Sequence, residues 1–148
     1  MNEILNDEYF MRQALREAQF AFDRDEVPVG AVIVCQGRII ARSHNLVETL
    51  NDVTAHAEMQ AITAAANVLG GKYLTNCILY VTVEPCPMCA GALGWAQISR
   101  IVFGAKDEKR GYSYVSPKSL HVKTQVTGGI LESECALLMQ EFFRNKRK

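Results

Sequence analysis

The stretch CILYVTVEPCPMCAGA, Cys77 to Ala92, limits the folds open to this chain more than any other. Cys77 to Glu84 is an unbroken apolar and β-branched run, the pattern of a strand covered on both faces. Pro85 stops it. Pro87 suits the first position of a helix, where its missing N–H is not needed. The spacing therefore predicts Cys86 at the helix N-cap and Cys89 one turn in. Residues three apart share a helix face, so both sulfurs can reach one point. The positive end of a helix favours thiolate over thiol, and two thiolates on one face suit a zinc ion.

The rest of the chain reads as alternating elements around that strand. Apolar residues recur at helical spacing from Asp7 to Asp23, with Asn6 or Asp7 as cap. VGAVIVC and RIIARS read as two antiparallel strands turned at Gln36-Gly37. Leu46 to Val53 reads as a polar loop. A helix follows from about His56 to Val68, ended by Gly70-Gly71. After the PMCAGALGWAQI helix come a short strand, RIVFG, a loop from Ala105 to Leu120 and a weak edge strand from Val122 to Thr127. The last element is a helix from Leu131 to about Asn145. A strand–helix–strand crossover should be parallel and right-handed. The expectation is an α/β fold of three layers, α/β/α, with a mixed, mostly parallel central sheet. At 148 residues, the span 1–148 reads as one domain.

Composition narrows the class. No apolar run reaches the ~18 to 20 residues of a membrane span. The acidic start, MNEILNDEYF, lacks the basic flank and apolar block of a signal peptide, so no membrane and a cytoplasmic place of work are expected. Five cysteines, an odd count, argue against a disulfide framework. Cys35, Cys77 and Cys135 read as core residues. Charge is uneven: residues 1–60 hold five Lys and Arg against ten Asp and Glu, net −5, and the remainder balances it at +5. The basic half could be an ordinary solvated face or a surface that meets phosphates.

A zinc ion needs more than two cysteines. Structural sites take four protein ligands; catalytic sites take three and leave a position for water. There is no second Cys-x-x-Cys, so His44, His56 and His121 are the candidates. His56 begins a helix between two strands. In parallel crossovers such helices start at one end of the sheet, where ligands usually bind. His56, Cys86 and Cys89 can therefore converge with one position open, the catalytic pattern. Glu58 lies two residues on. Side chains two apart on a helix point to nearly opposite sides, so His56 and Glu58 share a site only if the helix starts at His56. From the first turn, Glu58 could take a proton from water and pass it to substrate.

His56-Ala57-Glu58 followed by Pro85-Cys86-Pro87-Met88-Cys89 resembles the signature of the zinc-dependent nucleobase and nucleoside deaminases. EVPVGAVIV, His44-Asn45, TAHAEMQAI, LYVTVEPCPMCAGAL, RIVFGAKD and GGILESECALLMQEFF extend the likeness over nearly the whole chain. These blocks are similar to the bacterial tRNA-specific adenosine deaminase branch. The resemblance implies the cytidine deaminase-like fold, one Zn2+ per subunit held by His56, Cys86 and Cys89, and Glu58 as proton shuttle. It implies hydrolysis of adenosine to inosine at the wobble position of a tRNA anticodon, with zinc-activated water attacking C6 and ammonia leaving. Asn45 would contact the base, with the Ala57 backbone N–H facing it, Pro28 and Val29 forming an apolar wall, and Asp107 touching the neighbouring ribose. It also implies a homodimer and a tRNA anticodon stem-loop partner.

Two departures keep other readings open. After FGAKDEKRG the chain continues YSYVSPKSLHVKTQV, where the family has a loop rich in His, Pro and Asn; Tyr112 and Tyr114 could stack on bases or simply pack. Gly94-Trp95-Ala96 is also similar to guanine deaminases, although Trp95 suits a structural role on a helix apolar nearly all round. A small-molecule deaminase acting on guanine, cytosine or cytidine is the alternative. A non-catalytic RNA-binding module with structural zinc is a third. The basic end, with Arg144, Lys146, Arg147 and Lys148, could meet a tRNA backbone or solvate the helix terminus.

Overall fold

A computed structural model describes residues 6–146. The first helix, α1, spans Asp7–Asp23, with the Asn6 side chain accepting from the Tyr9 N–H as its N-cap. Strands β1 (Gly30–Cys35) and β2 (Arg38–His44) form the expected hairpin, turned by Gln36 and Gly37, both at positive φ. Helix α3 (Ala57–Leu69) leads to β3 (Cys77–Val83), and α4 (Pro87–Ala96) leads to β4 (Arg100–Ala105). A three-residue strand, β5 (Gln125–Thr127), and helix α6 (Glu132–Lys146) complete the order.

Two short helices replace stretches expected to be loop. Within Leu46–Val53, α2 covers Val47–Leu50; within Ala105–Leu120, α5 covers Tyr112–Val115. Neither is long enough to show a helical period, and neither carries a side-chain cap of its own. Both are held by carboxylates distant in sequence, described below. The edge strand is also shorter than Val122–Thr127, because His121 and Lys123 are engaged in a turn.

The sheet order is β2-β1-β3-β4-β5. β1 runs antiparallel to both neighbours, whereas β3, β4 and β5 pair in parallel. Four strands thus share one direction, with β1 reversed between them. The strands alternate as a two-sided sheet should. Ala31, Ile33, Leu79, Val81, Ile101 and Phe103 pack with α3 and α4, while Val32, Val34, Tyr80 and Val102 pack with α1 and α6. These are the three layers. Cys77 and Cys135 are buried, while Cys35 is partly covered at the end of β1. Gly30 is where β1 meets α1: a Cβ there would overlap the Ala14 carbonyl and the Ala18 amide. Among the described residues no helix is long and apolar enough to cross a membrane.

The strand directions settle where a site can form. The C-terminal ends of β2, β3 and β4 and the N-terminal end of β1 lie along one edge. His44-Asn45, Pro85-Cys86, Lys106-Asp107 and Val29 all leave the sheet there.

Candidate active site

His56 is the N-cap of α3 and Cys86 the N-cap of α4, both with extended backbone and neither making a side-chain capping bond. Their side chains turn toward each other across the sheet edge. His56 Nδ1 lies 3.7 Å from Cys86 Sγ and 3.5 Å from Cys89 Sγ. A tetrahedral zinc at its usual bond lengths holds nitrogen and sulfur ligands about 3.6 Å apart. The three donor atoms all lie within 4.8 Å of one another. The set is nitrogen and sulfur only, the donors zinc prefers. The other two histidines are occupied elsewhere: His44 Nδ1 pairs with Glu17 at 3.0 Å, and His121 Nδ1 accepts from the Lys123 N–H.

The sulfurs are prepared for a cation. A hydrogen bond from the Cys89 thiol, with further help from His56, pulls Cys86 down to about 4. The shared bond with Cys86, together with burial, pushes Cys89 well above the usual thiol range. The bond to the Cys86 sulfur also raises His56. A proton shared within such a cluster is what a divalent ion displaces on binding.

Glu58 lies in the first turn of α3, 3 % exposed. Burial, reinforced by the nearby Cys86 sulfur, pushes its carboxyl up to about 7. The two-residue spacing works because His56 stands outside the helix proper while Glu58 is inside it. Ser43 Oγ donates to the Ala57 carbonyl at 2.6 Å, and Gln60 Nε2 donates to the His44 carbonyl at 2.8 Å. These bonds tie the start of α3 to the end of β2.

His56, Ala57, Glu58 and Cys86 lie in a cleft of roughly 1340 Å³. Val29 and Asn45 line one side, with Asn45 7 % exposed. Pro28 is buried beside Val29 and does not line the cleft. Asp107 lines the opposite side, its carboxylate accepting from the Lys109 and Arg110 backbone N–H groups. The cleft continues along α6 past Met139, Phe142 and Phe143 to Lys146.

Residues 5–105 match the cytidine and deoxycytidylate deaminase zinc-binding region. The chain belongs to that deaminase family. It is a zinc-dependent hydrolytic enzyme. This deaminase is 48% identical over 144 residues to the tRNA-specific adenosine deaminase of Agrobacterium fabrum (strain C58), across 94% of this chain and 95% of the relative. A solved structure from studies of A-to-I editing by tRNA:A34 deaminases superposes with a TM-score of 0.82. The two are 47% identical, across 88% of this chain and 98% of that one. A guanine deaminase from Bacillus subtilis is 40% identical with a TM-score of 0.66, across 78% of this chain and 71% of that one.

Two buried carboxylates of the deaminase that hold parts of the cleft wall escaped motif reading. Glu26 is fully buried, and its carboxylate accepts from the Glu48 N–H at 3.0 Å and from the Thr49 N–H and hydroxyl, each at 2.6 Å. It supplies the cap that α2 lacks. Glu84, 3 % exposed, does the same for α5 by accepting from Ser113. A buried acid two residues before Pro28 and another just before Pro85 were the available signals, but sequence alone does not show their burial.

Proposed function

We propose that this enzyme hydrolyses adenosine to inosine and ammonia at the wobble position of a tRNA anticodon, the whole span 1–148 acting as one deaminase domain. The near full-length identity to the Agrobacterium fabrum tRNA-specific adenosine deaminase carries this reading. The cleft supports it. Its roughly 1340 Å³ exceeds the ~300–1000 Å³ of ordinary small-ligand pockets and leaves room beside a single base for flanking nucleotides.

The residues divide the chemistry among them. His56, Cys86 and Cys89 would hold the metal. Zinc, when bound, supplies Lewis acidity that lowers the pKa of a coordinated water to about 7. Glu58 accepts the proton of the attacking water and delivers one to the departing amino group. Asn45 offers an amide that both donates and accepts, suited to the mixed edge of a purine. The Ala57 N–H faces the same base and Val29 packs on its ring, with Pro28 behind. Asp107, already fixed by two backbone amides, presents its remaining acceptor capacity to a ribose hydroxyl.

The likeness to guanine deaminase sustains a second reading, in which a free base is the substrate. Parallel assays with anticodon stem-loop RNA and with free guanine, cytosine and cytidine separate the two. The expected result is inosine in the stem-loop at the wobble position and no comparable turnover of the free compounds. Turnover of the free compounds alone would reject the tRNA substrate. The cytoplasm, where tRNA is abundant, is the place of work proposed with this substrate.

We further propose that two copies pair through the outer face of α4. Met88 and Trp95, seven residues apart and so on one side of α4, are 37% and 86% exposed, and Tyr114 of α5 is also exposed. Tyr112 is buried by contrast and packs. Light scattering of the intact chain is expected to give the mass of two chains; a monomer at micromolar concentration would reject the pairing. The basic end divides: Lys146 pairs with Asp25, Arg144 with Glu141, and Arg147 and Lys148 lie outside the described residues.

A further inference from the structure

The segment 106–113 leaves the end of β4 and forms the cleft side opposite Asn45. It brings Lys106, Lys109 and Arg110 to the rim, all exposed and all lining the cleft, beside the acids Asp107 and Glu108, which line it too and leave the stretch 106–110 at net +1. Its first half, Lys106 to Lys109, holds no apolar residue. Its hold comes from the strand end next to the metal ligands. Glu84 Oε1 accepts from the Asp107 N–H at 3.1 Å, and Oε2 accepts from the Ser113 N–H at 3.1 Å and from the Ser113 hydroxyl. The Pro85 carbonyl accepts from the Tyr112 N–H at 2.9 Å. One buried carboxylate thus grips both ends of the segment. Gly111 is shaped around it: a Cβ there would overlap the Glu84 carboxylate and come within 2.5 Å of the Asp107 carbonyl oxygen.

We infer that Glu84 is a positioning residue that latches this cationic segment to the metal-side strand and so sets where nucleotides flanking the target base rest. The inference builds on the polynucleotide substrate proposed above. Glu84 lines the same cleft, but among the described residues its carboxylate bonds only to Asp107 and Ser113 and makes no hydrogen bond to His56, Cys86 or Cys89. It acts through Asp107 and the three cations, whose attraction to phosphates needs a fixed wall to become a fixed register. A purely structural role would show in folding and metal content; a latch shows in the segment's mobility and in substrate binding.

The test compares Glu84→Gln with the parent enzyme, both loaded with zinc. An amide sets an N–H donor against the donors of Ser113 or Asp107. Amide hydrogen exchange over 106–114 is expected to quicken by about tenfold or more, with the α3 segment unchanged. KM for stem-loop RNA is expected to rise about tenfold, kcat to fall less than about threefold, and zinc content to stay the same. Gly111→Ala, which displaces the same carboxylate from the opposite side, and Ser113→Ala, a milder cut, carry the same expectation should Glu84→Gln fail to fold. Unchanged exchange and KM would overturn the latch, as would lost zinc or a fall in kcat alone. If the parent enzyme ignores stem-loop RNA, the substrate reading fails, while exchange still reports whether the latch exists.

Discussion

Glu58→Ala is expected to retain stoichiometric zinc and to lose deamination, with kcat falling by about a thousandfold or more. Glu58 is not a metal ligand by geometry: the nitrogen and sulfur donors of His56, Cys86 and Cys89 already form a compact set. Its carboxyl, buried and pushed up to about 7, lies where a proton can be both taken and returned near neutral pH. Buffer cannot easily replace it, because the group is 3 % exposed. Glu58→Gln separates chemistry from packing, since it keeps the shape and removes the proton exchange; it should be as inactive as the alanine variant. Metal analysis beside single-turnover assays reads both quantities. Full activity in either variant would remove Glu58 from the mechanism. The result also divides a catalytic centre from a structural zinc, which has no need of this carboxylate.

Cys86→Ala and Cys89→Ala should fail earlier, at metal loading. Loss even of an outer partner of a metal ligand costs about 10- to 100-fold in affinity. Losing a thiolate from a three-residue set should exceed about a hundredfold. Purified protein should then carry less than a tenth of the parent's zinc, roughly, after dialysis against a weak chelator. His44→Ala supplies the contrast, because His44 is engaged by Glu17; it should keep its metal. Normal zinc in the cysteine variants, or its loss in His44→Ala, would reassign the ligands.

The elements legible in the sequence are those with a strong local pattern. The β-branched run of β3, the Gln36-Gly37 turn and the Pro85-Pro87 boundary each act through neighbours in the chain. The gathering of His56, Cys86 and Cys89 was legible too, because parallel crossovers start their helices at a common sheet edge. The reversed position of β1 between β2 and β3 was not, since nothing in a two-strand hairpin states which side meets the next strand. Nor were α2 and α5. Val47–Leu50 and Tyr112–Val115 have little helical signal of their own. They are helical because Glu26 and Glu84, some 22 to 29 residues away, satisfy their first amides. The placement of Pro28 behind the cleft surface, rather than on it, likewise depends on how the chain turns into Gly30.

His56 and Cys86 occupy positions where a helix ordinarily carries Ser, Thr, Asp or Asn, and neither gives its helix a side-chain bond. Each substitution forgoes about 1 kcal/mol of capping. An ion gripped by both residues becomes a rivet through the starts of two helices that approach the sheet from different strands. Metal and fold would then be mutually dependent: stripping the ion would unpin both first turns together, and Glu58, one residue inside the first of them, would lose its aim along with the proton transfer proposed for it.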